Sequence, residues 1–260
     1  DLEFTFYKEN SAVTPFIKNL PEEDPAIWRF WTIDGIRIGD VVYVYYMIIT
    51  IDHTLQTYPF AVKGTGIARW AIPEKWQIGD PVRFERLGML FDKDQPTFGD
   101  SVILKDGYLY LIGHGKAAAG EIGVSVQITR VRPEDIEEKT AYRYLRTDGR
   151  FTCLYRDAGR FLHDVAGECS LSFNEVLNSF VIIYCNLWSG DIIRVIFDDF
   201  SKLNEAEKKV VYTPPPLVEA KRDIPVSYYS AKEIFHTRDH LYAIYIQPVI
   251  YQPILLKIPY

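Results

Sequence analysis

The chain has 260 residues, enough to bury a large core as one all-β domain or as two smaller ones. Its net charge of −6 gives no support to a nucleic-acid partner, and no apolar run is long enough to span a membrane as a helix. Aromatics make up 15% of the residues, with 18 Tyr and 15 Phe. That composition suits pleated surfaces, and Tyr and Trp can also cover the C–H face of a sugar ring.

In chain order, the first 20 residues hold two short strand-like runs, Leu2–Tyr7 and Ala12–Ile17, before an acidic turn at Pro21–Pro25. A first full unit follows at 27–70. It has a strand at Val41–Tyr46 after the Ile38-Gly39-Asp40 turn, a third strand at Ile48–Ile51 and a fourth at Gly66–Trp70. After Gly79-Asp80-Pro81 comes a unit at 82–140, where Asp106-Gly107 between apolar runs is a strong hairpin signal. Pro133 followed by early acids predicts a short helix over 132–139. The next unit, 141–209, carries strands at Phe180–Tyr184 and Ile192–Phe197 and a short helix at Ser201–Lys208. The last, 210–260, opens past the rigid Thr213-Pro214-Pro215-Pro216 connector. Nothing along the chain marks a domain boundary, so one domain over 1–260 is expected.

Four acidic residues recur at intervals of 66, 68 and 65: Asp34, Asp100, Glu168 and Glu233. Each is followed by an aromatic-rich strand. A strand-built unit at fixed period is the pattern of blades around an axis, and four carboxylates on innermost strands would converge on one funnel suited to a polar ligand. Acids are also common at strand starts and turns, so the shared site is the sharper of two readings. Counting one period back, a fifth unit would begin before residue 1, with residues 1–20 as its tail. The expected fold is therefore an all-β, five-bladed β-propeller with an incomplete first blade. A β-sandwich of the same strands is the alternative.

Three stretches resemble the five-bladed glycosidase propellers: Trp31-Thr32-Ile33-Asp34-Gly35 with Tyr43-Val44-Tyr45-Tyr46 their second blade, Asp100 through Tyr110 the third, and Glu168-Cys169-Ser170-Leu171-Ser172-Phe173-Asn174 the fourth. Ser170 through Leu177 and Tyr228-Tyr229-Ser230-Ala231-Lys232-Glu233 are more closely similar to domain of unknown function 4185, which is related to endo-D-arabinanases. The resemblance implies a carbohydrate or glycan ligand and a secreted, cell-surface or periplasmic setting. It departs in one respect. Both groups carry essential first-blade acids, and no such strand precedes Asp34.

Glycoside hydrolysis needs two carboxyls, roughly 5 Å apart for retention and 6.5–9.5 Å for inversion. By the resemblance, Glu168 takes the position of the acid, and Asp100 that of the carboxylate that keeps the acid protonated. Asp34 stands in as base or sugar contact, or is simply a turn acid before Gly35. Lys232 and Glu233 alternate along a strand, so only one can face a funnel; the resemblance favours Lys232 as a ligand contact. Ser170, Trp28, Trp31 and His114 are lesser ligand candidates. The two Trp are as readily core, and His114, between two glycines, is as readily structural.

No glycine-rich nucleotide loop, Gly-x-Ser-x-Gly elbow or metal spacing occurs, so neither cofactor nor metal is expected. Cys153, Cys169 and Cys185 lie in strand-like runs, where buried free thiols are the default. A non-catalytic carbohydrate-binding or protein-interaction propeller remains the competing reading.

Overall fold

A computed structural model describes residues 8–9, 12–55, 58–116, 124–217 and 227–260. The backbone forms two compact units, Asp1–Gln95 and Pro96–Tyr260.

In the first unit, β1 (Lys8–Glu9) and β2 (Ala12–Val13) form a small hairpin. The strands β3 (Trp28–Ile38), β4 (Val41–Ile51), β5 (Phe60–Ala71) and β6 (Glu85–Asp92) follow one another in an antiparallel sheet in that order. β4 is the long apolar run of the sequence, and Tyr45, Tyr46, Met47 and Ile49 are all buried. Residues of both parities are covered, as expected of a strand buried on both faces. The stretch Ile48–Ile51 is its continuation and not a separate third strand. Gly66 on β5 makes room for the Tyr46 ring, which a Cβ there would meet at 2.4 Å. Beside it, the Arg86 guanidinium stacks 3.9 Å over the Phe30 ring and holds both Glu23 carboxylate oxygens, at 2.6 and 3.0 Å.

Among its described residues, the second unit contains three sheets. The first runs in the order β11-β10-β9-β8-β7, with β7 Ser101–Lys105, β8 Tyr108–Lys116, β9 Val124–Val131, β10 Arg143–Leu145 and β11 Phe151–Thr152. Next comes β12 (Ser170–Asn174), β13 (Ser179–Cys185), β14 (Ile192–Phe197) and β15 (Lys208–Tyr212), again in sequence order. The last sheet is β16 (Tyr229–His236), β17 (His240–Gln247) and β18 (Gln252–Pro259). The Asp106-Gly107 turn joins β7 to β8 with φ of 50° and 76°, the double left-handed geometry of a two-residue hairpin.

β13 explains how these sheets hold together. Phe180, Ile182 and Tyr184 face one core with Tyr110, Ile112, Ile128 and Phe161. Val181, Ile183 and Cys185 face another with Ala231, Leu241, Ala243 and Tyr245. The middle sheet is thus buried on both sides by its neighbours, as in serial blade packing. Every sheet is made of consecutive strands, which is not the crossing connectivity of a β-sandwich.

Several expectations need correction. Among the described residues there are four sheets of three to five strands, not five. Of the stretch expected as a first-blade tail, the described strands are only the β1–β2 hairpin, and Leu2–Tyr7 lies outside the described residues. β6 pairs with β5, so the unit expected to begin at 82 gives its first strand to the preceding sheet. Likewise β10 and β11, expected in the unit starting at 141, complete the sheet before it. Both expected short helices are only single 3₁₀ turns, at Pro133–Asp135 and Lys139–Ala141 in one case and Phe200–Lys202 in the other. Their polar runs have too few apolar positions to hold a longer helix against a sheet.

Phe180 stands at the centre of an aromatic cluster, stacked on Phe197 at 5.4 Å and 4.6 Å from the Phe200 ring. Replacing it leaves a cavity that flanking β-strands cannot close. Phe180→Ala is expected to lower the unfolding free energy by about 3–5 kcal/mol, read from urea denaturation.

Candidate functional site

Four charged side chains gather in the second unit at the entrances of β7 and β12, on β8 and on β16. The segment Thr97–Asp100 folds back along β8: Thr97 N donates to His114 O at 2.9 Å, and Gly99 N and Asp100 N both donate to Ile112 O at 3.0 Å. This close approach requires glycine on β8. A Cβ at Gly113 would meet the Phe98 backbone at 2.7 Å, and one at Gly115 would meet Pro96 at 3.1 Å. The glycines flanking His114 therefore serve chain packing.

The fold-back carries Asp100 fully out of solvent. Its Oδ2 accepts from the His114 backbone N at 3.0 Å and pairs with His114 Nδ1 at 2.6 Å. Thr97 Oγ1 lies 2.9 Å from the same Nδ1 and donates to His114 O at 3.0 Å. The His114 side chain keeps 19% of its surface exposed, so the pair is buried at the aspartate end and open at the imidazole end.

Glu168, half-buried, precedes β12 and accepts a hydrogen bond from Ser230 Oγ. Ser230 has a left-handed backbone, with φ of 55°, at an irregularity in the β16–β17 register. Its N donates to Ala166 O at 3.1 Å. A non-glycine residue held in this conformation inside a strand is over-determined by its surroundings. Here the effect is to turn a hydroxyl onto a carboxylate of the neighbouring sheet. Lys232 follows two residues later, half-buried, and its charge acts on Asp100, His114 and Glu168.

The electrostatics follow from this arrangement. Burial alone would lower the His114 pKa, but the Asp100 charge and hydrogen bond, helped by Glu168, push it up to about 9. Burial pushes the Asp100 carboxyl up, and the His114 cation works against that. Burial also pushes Glu168 up, yet the His114 charge, the Ser230 hydrogen bond and Lys232 outweigh it and hold Glu168 below the usual carboxylate range. Asp100 was expected to keep Glu168 protonated. The two cations reverse that balance, leaving Glu168 ionised and His114 carrying a proton at neutral pH. The neighbouring Cys169 thiol is buried and pushed well up, so it is not a nucleophile.

Glu233, the fourth member of the acidic period, belongs to a different cluster. Its nearly buried carboxylate accepts from Ser172 Oγ at 2.6 Å and meets His236 Nδ1 at 2.7 Å, while His236 Nε2 lies 3.2 Å from Glu175. Strand alternation thus divides Lys232 from Glu233 as expected. Ser170 is also internal: buried, with its Oγ accepting from Glu233 N at 2.7 Å. It holds β12 to β16 and is not a surface for ligand.

Asp34, Trp28 and Trp31 lie in the first unit. Asp34 sits in a β-bulge within β3 and accepts from Gly35 N at 2.8 Å, so it is not at a strand start. Trp31 is 39% exposed and packs edge-on against Phe60, and half-buried Trp28 donates its backbone N to Asp24 O. Thr97 and Ser230 had no assigned role in the sequence. Nothing local signals either, because both act through residues distant in the chain. Among the described residues, no group of three or more His, Cys, Asp and Glu is arranged to hold a metal ion.

No protein-family model and no curated protein matches this chain, so the likeness to domain of unknown function 4185 has no family match behind it. Solved structures do match. A Bacteroides ovatus protein named as a hydrolase superposes on 89% of the chain with a TM-score of 0.63 and 14% identity. Zg3597, a family 117 glycoside hydrolase from the marine bacterium Zobellia galactanivorans, covers 92% with a TM-score of 0.53 and 12% identity. The chain spans 61% and 69% of those two proteins. Identities this low establish the fold alone, an all-β propeller.

The charge balance has a direct test. In the native protein His114 should lose its proton only as pH rises through about 9. Asp100→Asn removes the partner that raises this value and leaves burial to dominate, so His114 should titrate below 6.5, its ordinary value, and be neutral at pH 7. Nitrogen-edited NMR of the imidazole ring reads this, and an unchanged titration in the variant would rule out Asp100 as the controlling partner.

Proposed function

We propose that this chain is a carbohydrate-active propeller of glycoside hydrolase type, acting on a furanose- or pyranose-containing glycan. The observation that carries the reading is the Asp100–His114 pair beside the Glu168 carboxylate, with Lys232 as a second cation. A half-buried carboxylate and a proton-bearing imidazolium in one site are the two partners that acid–base cleavage of an acetal needs. In this scheme His114, oriented by Asp100 and Thr97, donates the proton to the leaving oxygen. Glu168 acts as the carboxylate that activates water or meets the sugar carbon. Lys232 binds hydroxyls or an acidic group on the glycan.

A second reading has its own support. Asp100 is enclosed and spent on His114, so Glu168 is the one partly exposed carboxylate in the cluster around Asp100. A site with one accessible carboxylate also suits a lectin-like module that binds a glycan without cutting it.

The test is a screen of the protein against oligosaccharides and para-nitrophenyl glycosides. If hydrolysis occurs, Glu168→Gln should lower kcat by about 10²–10⁴-fold while the fold is retained. The pH profile should be broad. Its acid limb lies below the ordinary carboxylate value, because Glu168 is held low, and its alkaline limb lies near pH 9 as His114 deprotonates. Glycan binding with no cleavage at any pH would replace the hydrolase reading with the binding module. An unchanged rate in Glu168→Gln would remove Glu168 from the chemistry.

A further inference from the structure

We infer that Trp188 is a stacking platform for a glycan that extends away from Glu168; this rests on the reading of the Glu168 cluster as a glycan site. Trp188 is the single tryptophan of Pro96–Tyr260, and 66% of its surface is exposed. It makes no ring contact among the described residues, so it contributes little to the core.

Its turn, between β13 and β14, is nonetheless firmly built. Asn186 Oδ1 accepts from both Trp188 N and Ser189 N at 2.9 Å, and Asn186 O accepts from Gly190 N at 2.9 Å. Ser189 Oγ accepts from Asp191 N at 3.2 Å, and Thr213 Oγ1 donates to Asp191 at 2.6 Å.

The same turn is tied to the segment that leads into Glu168. Asp164 O accepts from Leu187 N at 2.7 Å, its carboxylate accepts from Asn186 Nδ2 at 2.7 Å, and Val165 bridges to Asn186. Ala166 N, two residues before Glu168, donates to Cys185 O at 2.8 Å. Trp188 lies three residues beyond Cys185, in the hairpin turn that Asn186 closes between β13 and β14. Glu168 and Trp188 therefore stand at the same edge of one sheet, at a separation fixed by paired backbone.

The surroundings select the partner. The turn that carries the ring is polar: Asn186, Ser189 and Asp191 belong to it, and Asp164, bonded to Asn186, pairs with Lys208 at 2.9 Å. A lone indole in a polar rim is too small an apolar patch for a stable protein interface. It does match a sugar, whose C–H face covers the ring while its hydroxyls meet the polar rim. A chain seated at Glu168 would reach it by extending past the sugar held there.

The experiment measures Kd by calorimetry for size-graded arabino-, xylo- and galacto-oligosaccharides against native protein, Trp188→Ala, Trp188→Tyr and Glu168→Gln. For the ladder that the native protein binds, Trp188→Ala should weaken the longest members about tenfold more than the shortest. Trp188→Tyr should restore most of the difference, and thermal unfolding should be unchanged because the side chain is exposed. Equal losses at all lengths, or none, would overturn the platform while leaving the Glu168 site intact. If the native protein binds none of the ladders, the glycan reading and this inference fall together.

Discussion

A carboxylate with no access to water must be paired, and in this protein that requirement organises the site. Asp100 is fully enclosed, and removing one partner of such a buried pair costs on the order of 3–5 kcal/mol. His114 supplies both a backbone N–H and a ring nitrogen to the same oxygen. For the two to meet, Thr97–Asp100 has to lie directly on β8, and only glycine at 113 allows it. The charged pair, the glycine and the fold-back are thus one constraint expressed at three positions.

The sheets of the second unit meet along their first strands, and serines make the joints. Ser101 Oγ donates to Leu171 O at 3.0 Å, linking β7 to β12, and Ser170 and Ser172 link β12 to β16 through Glu233. A serine is small enough to let two strands approach and polar enough to satisfy the groups that their separate ladders leave open. The Glu233–His236–Glu175 cluster follows from the same joint. Burial would lower the His236 pKa, but its two carboxylate partners hold it above its usual range. One protein thus holds two histidine–carboxylate clusters with different placements: one at the strand entrances beside Glu168, the other farther along β12 and β16.

Strand identity was readable because period-two patterning and turn chemistry are local. The Asp106-Gly107 hairpin, the β4 run and the alternation that parts Lys232 from Glu233 all follow from neighbours along the chain. Sheet membership was less readable. β10 and β11 are short, and the partners of β6, β10 and β11 are set by which open edge lies nearest, which no local pattern encodes. The acidic period likewise brought out Asp100 and Glu168, yet it also included Glu233, which faces elsewhere, and Asp34, which sits in a bulge. A one-residue slip at a bulge reverses the face of every following side chain, so spacing alone cannot say which acids share a site.

By itself, the sequence determined an all-β chain of serial antiparallel sheets, because residue type and strand periodicity are properties of short segments; the acidic period, the glycines around His114 and the family resemblance together made Asp100, His114, Glu168 and Lys232 candidates. Only the tertiary structure decided the number of sheets among the described residues, the left-handed Ser230 that caps Glu168, and the charge each group carries. Those depend on what lies across the space between strands, where burial and neighbouring charges from residues 14 to more than 60 positions away set the balance.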